Sequence, residues 1–335
     1  MKLQTVRFEC SPTTASVIHR QLPRRTQGWG DFSFDFSGAV RNPDFLVVLE
    51  DVAHPVRCEC SRERTVLLCS EPSAVGSYHP RLTRRFGAVV SCQRRVAHRN
   101  LFLRNPCLSW WAGIEMLSPS DWRVRFDYED FLVMEFPGKI DKISVVNSGK
   151  SLINGHTVRN DFLARIKRHF GDRLDIFGHG SRPIRDKLEA ILPYKYHIAI
   201  ENSVEPHYWS EKLGDAYLGG AMPIYCGCPN LEEYFSPESF CRIDIRDPST
   251  AIPTIEDALS RDTFQRTSLA RKISRDHILQ KYNIFAVLSE LLPKLHLGQQ
   301  RRVSIYPHRH VSFPAIGRVA RNLRSVISGG VKHAR

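Results

Sequence analysis

The stretch YKYHIAIENSVEPHYWSEKLGDAYLGGAMPIYCGCP, from Tyr194 to Pro229, decides the fold. It reads as an apolar strand, a helix that ends at Gly219-Gly220, and a second apolar strand. Two buried strands joined through a helix are the repeating unit of an α/β domain with a parallel sheet. Polar side chains crowd the end of the first strand and the start of the helix: Glu201, Asn202, Ser203, Tyr208, Glu211 and Lys212.

This crowding predicts a site for a nucleotide-sugar. In open α/β sheets ligands bind beyond the carboxyl ends of the strands, where the helices begin. A helix N-terminus carries unpaired N–H groups and a partial positive charge, which favour a phosphate, and Lys212 adds a full charge there. Glu211 supplies a carboxylate that can accept hydrogen bonds from sugar hydroxyls. The same residues are equally compatible with an ordinary helix start, in which Ser210 is the N-cap and Lys212 a solvated surface cation.

The rest of the chain repeats the alternation of strand and helix. In the first half, the apolar runs at 44–51, 64–72 and 86–92 are rich in Val and Leu, as buried parallel strands are. In the second half, strands alternate with amphipathic helices from about residue 139 onward. We therefore predict an α/β fold with two Rossmann-like domains facing across a cleft. The predicted units are an N-terminal domain at 1–137, a C-terminal domain at 138–295 and a basic tail at 296–335.

Positive charge is concentrated at the C-terminus. The net charge is +13, from 48 basic and 35 acidic residues, which favours an anionic partner such as nucleic acid, a membrane surface or a phosphorylated substrate. Eight basic residues and no acidic residue follow His296, so residues 1–295 have a net charge of +5. Within the tail, 313–327 is spaced as a basic amphipathic helix. This pattern fits docking on an anionic membrane as well as it fits a flexible basic tail.

Cysteine usage and the N-terminal sequence indicate a cytoplasmic protein. The nine cysteines are an odd number in apolar context, and the two C-x-C pairs lack the spacing of a zinc module. We expect buried free thiols and a reducing compartment. The start MKLQTVRFECSPTTASV lacks the apolar run of a signal peptide, and apolar runs elsewhere are too short to span a bilayer. We predict a cytoplasmic protein, at most peripheral to the inner face of a membrane.

The stretch from Tyr194 to Asp244 resembles the donor-binding core of the family 10 glycosyltransferases, the α-1,3/4-fucosyltransferases. That core reads approximately Y-K-F-x-L-x-F-E-N-S, then Y-[VI]-[TS]-E-K-[LI], then [AV]-[VI]-P-[IV] and a Gly-Pro-rich turn. In that order this chain has Tyr194-Lys195, Glu201-Asn202-Ser203, Tyr208, Ser210-Glu211-Lys212-Leu213, Pro223-Ile224, Gly227 and Pro229. A weaker similarity upstream places Arg159 where the family's phosphate-binding arginine lies. A short similarity in the first half, around LLCSEPSAV, makes Glu71 the counterpart of the family's proposed catalytic base.

The resemblance implies a GT-B-type glycosyltransferase of the bacterial type without a membrane anchor. Its N-terminal domain would bind the glycan acceptor and its C-terminal domain the donor GDP-fucose. Transfer would invert the anomeric carbon, with Glu71 deprotonating the acceptor hydroxyl. Arg159 and Lys212 would stabilise the departing GDP, and Tyr208 would bond a phosphate oxygen. The other donor-binding positions are Ser203 and, for the ribose and fucose hydroxyls, Glu201, Asn202 and Glu211.

Cofactors and alternative functions are only partly constrained. No D-x-D motif lies at a strand end, and two cations are already available for the diphosphate, so we expect no required metal; stimulation by Mg²⁺ or Mn²⁺ stays open. A transferase using another nucleotide-sugar, a non-catalytic relative and a nucleic-acid-binding protein are the alternatives. The basic residues are not interleaved with aromatic residues as they are in known nucleic-acid-binding modules, which disfavours a nucleic-acid-binding protein. The acceptor is not specified; a lipid-linked glycan or lipopolysaccharide in polysaccharide biosynthesis would fit.

Overall fold

The computed structural model describes residues 3–24, 26–52, 54–106, 109–118, 121–136, 138–147, 154–178, 180–296, 298–299 and 301–307. Its strands are β1 (Gln4–Glu9), β2 (Gly28–Trp29), β3 (Phe32–Asp35), β4 (Phe45–Leu49), β5 (Val56–Cys60), β6 (Thr65–Cys69), β7 (Ala88–Ser91), β8 (Leu101–Leu103), β9 (Ile114–Ser118), β10 (Asp121–Val124), β11 (Ile140–Asn147), β12 (Leu174–Gly178), β13 (Tyr194–Ile200), β14 (Met222–Cys226), β15 (Cys241–Arg242) and β16 (Arg301–Ile305). Its α-helices are α1 (Pro12–His19), α2 (Pro80–Thr83), α3 (Tyr128–Val133), α4 (Asn154–Phe170), α5 (Leu188–Ile191), α6 (Glu211–Leu218), α7 (Pro248–Ser260), α8 (Thr263–Arg266), α9 (Ser268–Asp276) and α10 (Ile284–Leu291). The helix predicted at 313–327 lies outside the described residues.

The N-terminal half is built on a largely parallel sheet. Its seven described strands lie in the order β2-β3-β1-β4-β6-β7-β8, and only the short β2 pairs antiparallel with its neighbour. The predicted strands at 44–51, 64–72 and 86–92 are β4, β6 and β7, which are adjacent in the sheet. Every residue of β6 and β7 is buried, because both faces of a parallel sheet are covered. The prediction of parallel strands with crossovers is therefore confirmed.

The C-terminal half contains a second, fully parallel sheet. Its described strands lie in the order β12-β11-β13-β14-β15. The chain reverses its winding direction between β11 and β13, so this sheet has a topological switch point there. In such sheets the ligand crevice lies outside the carboxyl ends of the two strands at the switch point. The predicted fold class, α/β with two Rossmann-like domains, is confirmed.

The end of the described chain returns to the N-terminal half. Phe285 of α10 packs against the Phe34 and Phe8 rings of that half, at centroid distances of 4.6 and 6.4 Å. Further on, β16 pairs antiparallel with β5. The segment predicted as a basic tail thus begins with a strand of the N-terminal half. Before this segment, α7 to α10 are separated by turns and by a π-helix at His277–Lys281.

Buried polar contacts join the two halves. Asn105 Nδ2 donates to the carbonyl of Trp209 at 2.6 Å. Asp215 Oδ1 accepts the backbone N–H groups of Trp111 and Ala112 at 2.9 and 3.0 Å. These contacts lie beside an apolar cluster with members from both halves. The position of α6 relative to the N-terminal sheet is therefore fixed by direct contacts.

The described cysteines are free thiols, and six of these eight are buried, as expected from the sequence. Among the described residues, no helix combines the length and the apolar character that a membrane crossing requires.

Candidate active site

The predicted donor site lies at the switch point of the C-terminal sheet. Glu201 directly follows β13, and Asn147 is the last residue of the neighbouring β11. Helix α6 begins at Glu211, with Ser210 as its N-cap: the Ser210 hydroxyl accepts the N–H of Lys212 at 3.3 Å. The predicted helix start at Ser210 is confirmed. The N-terminus of α6 therefore faces the crevice in which a ligand of this sheet would bind.

Glu201 ties the strand end to the helix start. Its carboxylate accepts the Ser210 N–H at 2.7 Å and the Ser210 hydroxyl at 2.5 Å. Lys212 Nζ lies 3.6 Å from Glu201 Oε2. Because the Glu201 side chain is fully buried, its oxygens have no exposed surface on which to meet a sugar hydroxyl. The structure therefore differs from the sequence expectation, which gave Glu201 a direct contact with the donor.

Lys212 lies between two carboxylates and close to Arg159. Its ammonium group donates to Ser210 Oγ and Glu211 Oε1, both at 3.2 Å. Burial opposes the ammonium charge, but the carboxylates of Glu211 and Glu201 outweigh it and raise the pKa of Lys212, against the repulsion of Arg159. Burial also lowers the pKa of the buried Arg159 guanidinium. Lys212 and Arg159, the two cations predicted to bind the diphosphate, are thus close enough to repel each other electrostatically.

Lys187 is a third cation, which the sequence analysis did not identify. Its Nζ lies 2.8 Å from Asp215 Oδ2 and 3.8 Å from Glu211 Oε1. Burial favours the neutral acid of Glu211, yet Lys212 and Lys187 lower the pKa of Glu211 to about 2. Glu211 is therefore ionised, so both of its carboxylate oxygens can accept hydrogen bonds from sugar hydroxyls.

The far end of α6 is also anchored by cations. Lys139 Nζ donates to the Gly219 carbonyl at 2.8 Å, and Arg271 donates to the Gly220 carbonyl at 3.0 Å. These carbonyls follow the helix C-terminus, where the helix dipole favours positive charge. Burial, and next the charge of Arg271, lower the pKa of Lys139 to about 7. With Ser210 at one end and these cations at the other, α6 is fixed at both ends.

Glu71 lies two residues beyond the end of β6, and its backbone is held on both sides. The Glu71 N–H donates to the Tyr78 hydroxyl at 3.0 Å, and Gln93 Nε2 donates to the Glu71 carbonyl at 2.8 Å. Burial, and next the negative charge of Glu50, raise the pKa of the half-buried Glu71 to about 7, with a smaller opposing effect of Lys212. A carboxyl group with this pKa is matched to proton transfer at neutral pH.

Glu71 and the donor-site residues face each other across the two halves. Lys212 and Glu211 both act electrostatically on Glu71, although they belong to the opposite domain. The two loops also touch directly, because Glu205 Oε2 accepts the Ser73 N–H at 2.7 Å and the Ser73 hydroxyl at 2.9 Å. The structure therefore brings together Glu71, the predicted base, and the predicted cation Lys212.

The remaining predicted residues differ in exposure. Tyr208 is buried, and burial, with the charges of Glu201, Glu71 and Glu211, raises its pKa well above the ordinary value. Its hydroxyl therefore stays protonated and can donate a hydrogen bond. Asn202 is exposed and Ser203 half-buried, both on the loop between β13 and α6. Within the described residues no cluster of three or more His, Cys, Asp or Glu side chains has metal-binding geometry.

Two α/β halves built on parallel sheets, with a cationic helix N-terminus on one and a carboxyl group on the other, fit the GT-B glycosyltransferase architecture. Residues 141–254 match the profile of glycosyltransferase family 10 (fucosyltransferase) C-term. This segment contains β11 to β15, Arg159 and the whole Glu201–Lys212 cluster. The chain thus carries a family 10 glycosyltransferase domain, which confirms the resemblance predicted from the sequence.

Individual relatives match shorter stretches of the chain. It is 34% identical over 74 residues to alpha-(1,3)-fucosyltransferase FucT of Helicobacter pylori, which is 22% of this chain and 16% of that protein. It is 31% identical over 77 residues to human 4-galactosyl-N-acetylglucosaminide 3-alpha-L-fucosyltransferase FUT6, or 22% of this chain and 21% of that protein. The match therefore spans 16% to 21% of the length of these relatives.

Solved structures align over more of the chain at lower identity. The crystal structure of an alpha1,3-fucosyltransferase with GDP aligns over 84% of this chain and 92% of that chain, at 16% identity and a TM-score of 0.48. One with GDP-fucose aligns over 99% and 93%, at 14% identity and a TM-score of 0.46.

Proposed function

We propose that the chain is an inverting fucosyltransferase, which transfers fucose from GDP-fucose to a hydroxyl of a glycan acceptor, with α-1,3/4 specificity. One observation carries the proposal. A carboxyl group with a pKa of about 7 on the N-terminal domain faces the cationic start of α6, within reach of its charges, and that helix belongs to a family 10 domain. A base and a diphosphate site on opposite walls of one cleft are what inverting sugar transfer requires.

The donor would bind with its diphosphate at the N-terminus of α6. Lys212 would supply a point charge and Arg159 a guanidinium group suited to bidentate phosphate contact. These cations would stabilise the negative charge that develops on GDP as the bond to fucose breaks. Tyr208, which keeps its proton, would donate to a phosphate oxygen. No metal is needed in this scheme, because the cations of the chain itself carry the charge.

The acceptor would be activated by Glu71. The ionised carboxylate takes the proton of the acceptor hydroxyl as its oxygen attacks the anomeric carbon. The bond from that carbon to the GDP oxygen breaks on the opposite face, so the configuration inverts and GDP leaves with the electron pair. Holding the attacking oxygen and the departing phosphate on opposite sides of fucose requires both domains. The bonds between Ser73 and Glu205 link the two loops involved.

The sugar contacts are assigned by exposure. We assign Asn202, Ser203 and the ionised Glu211 to ribose and fucose hydroxyls. We assign Glu201 instead to positioning, since its buried carboxylate holds Ser210 and Lys212 in place. A glycan with a 4-galactosyl-N-acetylglucosamine unit is the first acceptor to test, because a similar protein is named for it. Contact of the tail with a membrane stays a prediction, since 308–335 lie outside the described residues.

The test is to follow GDP release from GDP-fucose with a panel of glycan acceptors, and to determine the anomeric configuration of the transferred or hydrolysed fucose by NMR. We expect a configuration opposite to that of the donor, and loss of GDP release in Glu71→Gln. Retention of configuration would contradict the proposal. Release of sugar from GDP-mannose or a UDP-sugar in preference to GDP-fucose would favour a transferase with another donor on the same scaffold.

A further inference from the structure

A second carboxylate lies directly behind Glu71. Glu50 follows β4, which is the neighbour of β6 in the sheet, so the two acidic residues emerge from adjacent strands. The Glu50 carboxylate accepts the Ser70 N–H at 2.5 Å, the Ser70 hydroxyl, and the Tyr78 hydroxyl at 2.8 Å. Because the Tyr78 oxygen accepts the Glu71 N–H, its own proton is available to Glu50. A continuous hydrogen-bonded chain therefore runs from Glu50 through Tyr78 to the backbone of Glu71.

The backbone conformation and the burial of Glu50 both oppose folding. Its φ of +68° lies in the left-handed region, which a residue with a side chain adopts at an energetic penalty. Within the described part of the chain, no lysine or arginine forms an ion pair with it; its partners there are the hydroxyl and amide donors of Ser70 and Tyr78. Burial raises the pKa of Glu50, and the hydrogen bonds from Ser70 and Tyr78 offset that effect only in part. A neutral side chain here would avoid the burial of a charge, so the carboxylate calls for a functional explanation.

We propose that Glu50 is the positioning residue of Glu71, which it holds through the Tyr78 hydroxyl and the Ser70 amide. This inference rests on the proposed function, because Glu71 is a base only if the chain performs inverting transfer. Gln93 completes the arrangement by donating to the carbonyls of Glu71 and Gly76, at 2.8 and 2.9 Å. The loop that carries Glu71 is thus fixed from β4 on one side and from the end of β7 on the other.

The charge of Glu50 gives the arrangement a measurable signature. After burial, Glu50 is the largest cause of the raised pKa of Glu71, while Lys212 acts in the opposite direction. Burial raises the pKa of both acids. Glu50 accepts hydrogen bonds from Ser70 and Tyr78, which favour its ionised form, whereas the Glu71 carboxylate accepts no hydrogen bond from the described residues. The other titratable groups around the pair are Glu211, Tyr208, Tyr78, Cys69 and Cys92.

The experiment measures the pH profile of kcat/KM for GDP-fucose turnover in the wild type, Glu50→Gln and the matched surface variant Glu59→Gln. In the wild type the activity should rise with pH through about 7, as Glu71 ionises. Glu50→Gln removes a negative charge beside Glu71, so the acidic limb should move to lower pH by on the order of one unit. Glu59 is exposed on β5, and its variant should keep the wild-type profile.

Tyr78→Phe tests the hydrogen-bonded chain separately. It leaves the charge of Glu50 in place but removes the link to the Glu71 N–H. We expect kcat to fall on the order of tenfold, the effect of losing one positioning hydrogen bond, with the GDP affinity unchanged. If Glu50→Gln does not fold, which circular dichroism and GDP binding would reveal, Tyr78→Phe still tests the positioning role of Glu50. Unchanged kcat in Tyr78→Phe would overturn the positioning role.

Failure of the inference and failure of the proposed function look different. If Glu71→Gln is inactive but Glu50→Gln keeps the wild-type acidic limb, the role of Glu50 is refuted and the base stands. If Glu71→Gln retains both turnover and the acidic limb, Glu71 is not the base, and the proposed mechanism falls together with the role of Glu50.

Discussion

The raised pKa of Glu71 predicts a stability change that does not depend on knowing the substrate. In the folded protein its pKa is about 7, against an ordinary value of 4.5 for Glu. The unfolded chain therefore ionises first, and the folded state is disfavoured progressively as the pH rises from 4.5 through about 7. The two values differ by about 2.5, and each pKa unit corresponds to about 1.36 kcal/mol, so the full penalty is about 3 kcal/mol at most. Glu71→Gln, which cannot ionise, should escape it.

The assay is urea unfolding of the wild type and Glu71→Gln, followed by tryptophan fluorescence between about pH 4.5 and pH 8.5. Near the acidic limit the two free energies of unfolding should differ little. Near the alkaline limit the variant should be more stable by about 2–3 kcal/mol, with the change centred between the two pKa values. A difference that does not vary with pH would contradict this prediction, because Glu71 would then have the same pKa in the folded and unfolded states.

Glu232→Gln is a control for which the difference in stability from the wild type should change with pH in the opposite direction. Burial favours its neutral form, but the hydrogen bond from Arg242 at 2.6 Å outweighs burial and lowers the pKa of Glu232 in the folded protein. Such a group contributes stability above its unfolded pKa and loses it as the pH falls through the folded one. The wild type should therefore gain stability over Glu232→Gln with rising pH, while it loses stability relative to Glu71→Gln.

Three further substitutions test the assembly of the site. Lys212→Ala should weaken GDP binding in calorimetry and lower turnover on the order of 10²–10³-fold, the scale for removing one charge-stabilising donor; an unaltered rate would exclude it from the site. Lys187→Met removes the ion-pair partner of the buried Asp215 and should lower the free energy of unfolding by about 3–5 kcal/mol, whereas a change below about 1 kcal/mol would mean that the pair is not formed. Glu205→Gln weakens the bonds to Ser73, so kcat should fall with GDP affinity unchanged; a parallel loss of both would assign Glu205 to the donor site.

Local patterns explain what the sequence predicted correctly. Apolar runs identify β4, β6, β7 and β13, because strands covered on both faces of a parallel sheet need no polar residues. Ser210 marks the start of α6, because a serine hydroxyl satisfies the free N–H groups of a helix N-terminus. Lys212 was selected from its position at a helix start and from the motif resemblance, and Glu71 from the resemblance alone. Their mutual approach across the domains follows from the three-dimensional structure.

Features that depend on contacts between distant segments were not predicted. The pair of Lys187 and Asp215, the contact of Ser73 with Glu205 and the hydrogen bonds of Glu50 all join separate elements. The acidic end of β4 was visible in the run DFLVVLED, but nothing in the sequence relates it to Tyr78. The pairing of β16 with β5 was missed for the same reason, because a basic stretch near the C-terminus has the composition of a tail. The burial of Glu201 was also not predicted, because it accompanies the hydrogen bonds that its carboxylate accepts from Ser210.

The proposed function requires the N-terminus of α6 to bind the diphosphate of a guanine nucleotide-sugar. Calorimetric titration with GDP, GDP-fucose, GDP-mannose and UDP-sugars tests it most directly, using the wild type, Lys212→Ala and the control Lys195→Ala. Lys195 lies at the opposite end of β13, where it pairs with Asp141 and Asp262. We expect GDP and GDP-fucose to bind the wild type and Lys195→Ala, and binding to collapse in Lys212→Ala. Wild-type protein that binds no guanine nucleotide, or Lys212→Ala that binds it as tightly, would contradict the proposed function.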